Sequence, residues 1–430
     1  MSNANSWPPD RSFWIEEFPA RTNNRTTPYL FKGIIPATAA DADAVLDGFS
    51  AIRRAHAEET PISAHARVYV GEHRRDDLLG AVLTAPDRAG GGFVEWMQEL
   101  VGADRFSLVI NNLETVSPKL AAGLGTFLAS LMSGWGVPMG GAELVAFAGN
   151  YSGTAFGVHE GYEDAFLTHY GPGSKHFYTW SGEDYRKLTG GDQPLYGDYQ
   201  WLLEHGEHWI LEPGDALFLP RRVFHVGRQD EFSVSVAVPV YTYPDAAILS
   251  KAVLPELLET LLAGDPDSAL GQPSPMAALD AGHTPAVHRL ADLADQALTG
   301  AARQAGAVIE QHMRQRWNTI LSNGGWEMVT DDLARTQAAT AFAAGHVGEG
   351  AEVAVIEPYR LIAAEGKAFL RGYEVSVDAT VLTAELVAAV NSGPITLPDD
   401  QDLLRSVRAL GTTGGLAVTA RPAVKEEASA

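Results

Sequence analysis

The sequence predicts an α+β protein: an antiparallel β barrel in the middle of the chain, helical additions around it and a small mixed C-terminal domain. Three observations lead there. Between about Ala142 and Pro244, short runs rich in Val, Phe, Tyr and Trp (ELVAFAG, AFLTHY, KHFYTW, HWILEPG, DALFLP, FSVSVAVPVYTY) are separated by Gly, Pro and Asp, the pattern of strands in a barrel or double sheet. On either side, apolar residues recur three and four apart, the period of a helix packed on one face. The 430 residues are 46% hydrophobic and 20% charged, enough to bury a core. At ~150 residues per domain they make two or three domains.

Taken in order, residues 1–40 are rich in Pro, Asn and Thr and read as an extended leader. DADAVLDGFSAIRRAHA, from Asp41 to Ala57, has helical spacing, as does Gly92–Val101. FSLVINNL (Phe106–Leu113) is a short buried strand, and Ser117 is placed to cap the helix that opens with Pro118, where the missing N–H is harmless. The β block follows. Residues 245–320 are helical again, and the long Ala-rich stretch AVHRLADLADQALTGAARQAGAVIEQHMRQRW reads as a packing or dimerisation helix. In 341–430, ATVLTAELVAAVNSGPITLP and DDQDLLRSVRALGTTGGLAV give helix, short strand, helix, strand, a winged-helix-like order. The expected domains are an N-terminal leader and helical region (1–105), the barrel (106–244), a helical region that is the candidate for dimerisation (245–340) and the small C-terminal domain (341–430).

Composition removes several function classes. Acids outnumber bases 54 to 31, a net charge of -23, which opposes general nucleic-acid binding and a polybasic membrane anchor. The winged-helix-like region has 7 basic against 12 acidic residues, so DNA binding is not expected there either. With no cysteine, disulfides, thiolate metal sites and cysteine nucleophiles are excluded. Any metal falls to His, Asp or Glu, and there are 13 histidines. No apolar run approaches the ~20 residues that span a bilayer. MSNANSWPPDRSFW is not a secretory signal, so the expected compartment is the cytoplasm.

Two histidines of the β block stand in informative surroundings. His159 lies in GTAFGVHEGYEDAF, and His225 follows Gly214-Asp215-ALFL-Pro220 by five residues. A Gly-Asp turn, a buried strand and a Pro bring His225 to the mouth of a small barrel facing inward. With His159 presented by the other half, metal binding is the expected role, against the blander one of strand-end histidines.

With these motifs, the span from about Phe106 to Val240, a third of the chain, resembles the cupin-type iron and 2-oxoglutarate oxygenases. It is most similar to their JmjC-like branch, which includes the bacterial ribosomal oxygenases. LVINNLE, GVHEGYEDAFLTHYGPGSKHFYTW and LEPGDALFLPRRVFHVG carry the resemblance. It implies a double-stranded β-helix (cupin/JmjC-like) barrel, Fe(II) and 2-oxoglutarate as cofactors, and an oxidoreductase activity. It implies His159 and His225 as the histidine ligands of a facial triad. Lys175, in Gly173-Ser-Lys175-His-Phe177, matches the lysine that pairs with the far carboxylate of 2-oxoglutarate, although one inserted residue is needed. Ser233 and Ser235 lie on the strand after His225, where one of the two is expected to face the 2-oxoglutarate carboxylate; Ser235 is the candidate cofactor contact.

One departure stands out: where the family has a carboxylate two residues after the first histidine, this chain has Gly161. In iron halogenases of the wider class, Gly or Ala stands there and chloride binds the iron, so a halogenase (chlorinase) with Gly161 as chloride seat is the leading expectation. The alternatives are a hydroxylase in which Glu160, Glu163 or Asp164 supplies the third ligand, and a catalytically silent cupin that binds only. Glu160 is expected on the face opposite His159, because strand side chains alternate. Asn150, His169 and Arg222 are candidate substrate or pocket residues, each with a structural alternative. The HGEH run (His205–His208) reads as a turn before a strand, with a second metal-binding pair as the alternative. The expected partner is a small molecule or peptide, with no nucleic acid and no membrane, in a possible homodimer.

Overall fold

The structure is a computed structural model and describes residues 7–71, 73–86, 92–154, 156–263, 285–327, 333–343, 347–377 and 380–420. The chain divides into two units, Met1–Tyr241 with Asn318–Ala430, and Thr242–Trp317.

The first unit is built on eleven strands: β1 Tyr29–Phe31, β2 His65–Val70, β3 His73–Arg74, β4 Phe106–Asn111, β5 Val145–Tyr151, β6 His159–Glu160, β7 Asp164–Pro172, β8 Lys175–Trp180, β9 Glu207–Leu211, β10 Ala216–Leu219 and β11 Phe224–Val240. The main ladder runs β1-β10-β7-β11-β5-β4-β2-β3. Its pairs are antiparallel. The 17-residue β11 belongs to two layers. From Gln229 onward it pairs with β5, and from Ser233 with β7, while Phe224–Arg228 pairs with β8, and β6 lies against Phe224 and His225. One long strand thus joins a major and a minor sheet, and the space between them is the cavity described below. This is the antiparallel, two-layered barrel expected from the aromatic and β-branched runs.

The N-terminal residues depart from the expected extended leader. Phe13–Glu17 and Phe18–Arg21 are helical, and Tyr29–Phe31 adds a strand to β10. Trp14 and Phe18 are fully buried, with ring contacts to Phe166, and Trp14 also to Phe127. Polar composition hid three buried aromatic anchors, Phe13, Trp14 and Phe18, which hold the segment on the core. Ser117 also differs: it precedes the helix Pro118–Trp135, but its hydroxyl donates to the Ala44 carbonyl instead of capping. That bond ties the helix to Ala42–Ala57, which Asp41 does cap, through Ala44 N–H.

The C-terminal part has its own buried cluster, including Val353, Leu370, Leu404 and Leu410. Strands β12 Glu352–Val355, β13 Ile362–Ala364, β14 Lys367–Leu370, β15 Tyr373–Ser376, β16 Ile395–Thr396 and β17 Leu416–Ala420 form two three-stranded sheets. The helices Ala384–Ser392 and Gln401–Gly411 alternate with β16 and β17, the order read from the sequence.

In the second unit, Leu254–Leu262 and the 38-residue helix Pro285–Ser322, most of which lies in this unit, are the main elements. Leu257 is buried, Gly300 lets the helix approach Leu261, and His312 meets Glu256 at 3.2 Å. Leu290 and Leu298 remain exposed on the long helix. Among the described residues no helix is long and apolar enough to cross a membrane.

Candidate metal and cofactor site

A cavity of about 420 Å³ lies between the two sheets, lined by His159, His225 and Lys175 among mostly apolar neighbours such as Phe147, Phe156, Leu167 and Ala237. The ladder sets the histidines. His159 on β6 and His225 on β11 are direct cross-strand partners, so their side chains leave the sheet on the same side, with ring centroids 4.4 Å apart. Each Nδ1 lies 3.1 Å from a backbone carbonyl, that of Gly157 for His159 and that of Val223 for His225. A carbonyl only accepts, so each Nδ1 carries the hydrogen and each Nε2 keeps its lone pair. Burial lowers the pKa of His159. Burial, and then the proximity of His159, pulls His225 down to about 3. Two neutral imidazoles with fixed tautomers are what a borderline divalent metal requires.

Gly161 lines the same cavity. Its N–H donates to Val223 O and its carbonyl accepts from Arg222 N. A Cβ built there would lie 3.3 Å from His225 Cε1, so a side chain at this position would project beside the histidine pair. Among the described residues, no group of three or more His, Cys, Asp or Glu is arranged to hold a metal.

The three acids near Gly161 fare differently. Asp164 is buried and accepts from Arg221 N, Nε and Nη2, so its carboxylate is already engaged. Glu163 lines the cavity, its pKa raised by burial and further by Glu143. Glu160 is the second residue of β6, paired with Phe224, and also borders the cavity.

Lys175, the first residue of β8, is 1% exposed. Its Nζ donates to Tyr151 Oη at 2.8 Å and to Gln229 Oε1 at 2.6 Å. Burial lowers its pKa to about 7. Gly227 gives its stem room, since a Cβ there would sit 3.1 Å from Lys175 Cε. Thr154, also on the cavity wall, has a buried hydroxyl without a hydrogen-bond partner among the described residues. Thr154 and Gln229 escaped the sequence reading, because isolated polar residues at no fixed spacing carry no signal.

Four other candidates lie off the cavity wall. Ser235 is bonded to His169, whose Nε2–H donates to Gly173 O, leaving Nδ1 to accept from the Ser235 hydroxyl. The pair is fully buried and does not line the cavity. Asn150 braces strand ends, accepting from Phe106 N and donating to Asp104 O. Arg222 is an exposed turn residue with φ 66° whose peptide N–H, not its side chain, reaches Gly161. His208 is on β9 and 2.9 Å from His176, away from the cavity.

A two-layered antiparallel barrel with paired neutral histidines facing into its cavity defines a cupin-type fold. Residues 142–248, the segment that holds both histidines, Gly161 and Lys175, match the JmjC domain family model. No curated protein matches the chain. Among solved structures it is similar to YcfD of Escherichia coli, at 14% identity over 93% of this chain and 97% of that one, with a TM-score of 0.49. It is also similar to YcfD, described as a ribosomal oxygenase, in complex with cobalt and 2-oxoglutarate, at 14% identity over 94% and 98% of the two chains, with a TM-score of 0.48.

Proposed function

We propose that the chain is an iron(II)- and 2-oxoglutarate-dependent oxidoreductase, with His159 and His225 as the metal ligands. The observation that carries the reading is the facing pair of neutral imidazoles, each with its Nδ1 hydrogen committed to a carbonyl, in one cavity with a buried lysine. The donor set suits Fe(II). Lys175 and the Thr154 hydroxyl, which has no partner among the described residues, suit the far carboxylate of 2-oxoglutarate. When bound, iron and 2-oxoglutarate with oxygen supply an oxidant able to take hydrogen from an unactivated carbon. The chain's own residues hold and orient: the histidines fix the metal, Lys175 and Thr154 fix the co-substrate, and Phe147, Phe156 and Leu167 keep the cavity apolar.

Within that class we favour a halogenase, with Gly161 as the chloride seat. Gly161 has no ligand atom, lines the cavity beside His225, and no third acidic or histidine ligand joins the pair among the described residues. A hydroxylase is the second reading, supported by Glu163 on the cavity wall. The substrate would be an amino acid, peptide or small metabolite met in the cytoplasm. The homodimer would be built on the helical region 245–340, between the barrel domain (106–244) and a winged-helix-like domain (341–430).

Incubation with Fe(II), 2-oxoglutarate and oxygen is expected to yield succinate; no succinate and no bound iron would sink both enzyme readings. Gly161→Asp is expected to abolish chlorination, and chlorination that survives it rules out the seat. Glu163→Gln separates the two readings: it leaves metal affinity unchanged in a halogenase and weakens it in a hydroxylase that uses Glu163 as a ligand.

A further inference from the structure

The surroundings of Lys175 fit an uncharged amine better than an ammonium. The side chain is 1% exposed, and both of its hydrogen-bond partners, Tyr151 Oη and Gln229 Oε1, are neutral. The rings of Phe147 and Tyr151, 5.5 Å and 5.3 Å from Nζ, attract an ammonium, but such a contact is weaker than the hydration a fully buried charge gives up. A neutral amine has two N–H groups, and there are two acceptors here. An ammonium has a third, for which the described residues offer no carboxylate. Tyr151 on β5 cannot supply a negative charge, because burial pushes its phenol up. His169 on β7, His159 on β6 and His225 on β11 all have pKa values lowered by burial. Glu160 and Glu163 line the same cavity without bonding to Nζ. A buried charge without a counter-charge is strongly disfavoured, and burial alone accounts for the lowering of this amine's pKa to about 7.

We propose that Lys175 is mostly an uncharged amine in the free protein at mildly alkaline pH and takes up one proton from solvent when a dicarboxylate enters the cavity. This rests on the cavity being the 2-oxoglutarate site. The added proton creates the third N–H, which donates to the incoming carboxylate, so co-substrate affinity is coupled to pH by the lysine and not by the ligand. The device keeps the site at full strength at and below neutrality and weakens it steadily above.

The test is calorimetry of 2-oxoglutarate binding to the full-length Mn(II)-loaded protein, in phosphate and in Tris. Near pH 8 the buffer dependence of the heat is expected to give close to one proton taken up per ligand, falling towards zero near pH 6. The dissociation constant is expected to rise by about tenfold per pH unit above neutrality. Binding near pH 8 with the same heat in both buffers overturns the proposal while leaving the cofactor reading intact. No binding at any pH refutes the cofactor reading, and the proposal with it. A ligand-free readout is also available: the chain has seven lysines, so ε-carbon-labelled NMR resolves them, with Lys175 assigned by its loss in Lys175→Met. A Lys175 signal titrating near 7 supports the proposal, and one titrating near the ordinary ~10.4 overturns it.

Discussion

Glu114 should make the barrel unit less stable as pH rises, and Glu114→Gln should remove that dependence. The residue is 5% exposed; Oε2 accepts from Leu144 N at 2.9 Å, while Oε1 has no hydrogen-bond partner among the described residues. It borders a small cavity with Glu327 and Arg371. Burial, and to a lesser degree the charges of Glu143 and Glu327, raises its pKa from 4.5 to about 8. The folded chain therefore holds a proton that the unfolded chain gives up between those values. The contribution is full below about pH 4.5 and is lost as pH rises through about 8. At ~1.4 kcal/mol per unit, this is roughly 5 kcal/mol over the whole window, and about 1.4 kcal/mol between pH 6 and pH 7. An amide stays neutral and can still accept from Leu144 N. Urea unfolding of both proteins at a series of pH values is the assay. The variant is expected to gain on the parent at each step up to about pH 8 and then hold level. Curves that stay parallel from pH 5 to pH 9 would refute a protonated, buried Glu114.

Two further substitutions bear on the core and on the cofactor pocket. Trp14→Ala removes an indole that stacks edge-on against Phe127 and donates to Ser130 Oγ, and should destabilise the protein by about 3–5 kcal/mol in the same unfolding assay. Under an extended-leader reading the change would be near zero. Gly227→Ala puts a methyl 3.1 Å from Lys175 Cε and 3.2 Å from the Phe177 ring. It should weaken 2-oxoglutarate binding by roughly tenfold or more, as overpacking costs about 1–3 kcal/mol, while Mn(II) binding is kept; calorimetry reads both.

The barrel was legible because its strands are written twice, in Val- and aromatic-rich runs and in the Gly, Pro and Asp residues that end them. The histidine pair was legible for a related reason: a turn, a buried strand and a Pro place His225 at a strand start, where β6 brings His159 opposite. Ser235, His169 and Asn150 were not separable from pocket residues, because a polar side chain on a strand looks the same whether it faces a ligand or a neighbour. His169 and Ser235 satisfy each other, and Asn150 bonds to backbone. The fate of the three acids depended on tertiary partners: Arg221 takes Asp164, and no sequence spacing announces that. The N-terminal helix was hidden because Phe13, Trp14 and Phe18 are sparse anchors in a polar stretch, and their burial is decided by the sheet they cover.

The central claim is that His159 and His225 together hold one divalent metal. Mn(II) titration followed by electron paramagnetic resonance tests it directly, with circular dichroism to confirm that each variant is folded. The account predicts one tight site per chain in the parent, lost in both His159→Ala and His225→Ala. A folded His225→Ala protein that still binds one equivalent of Mn(II) as tightly as the parent would contradict it.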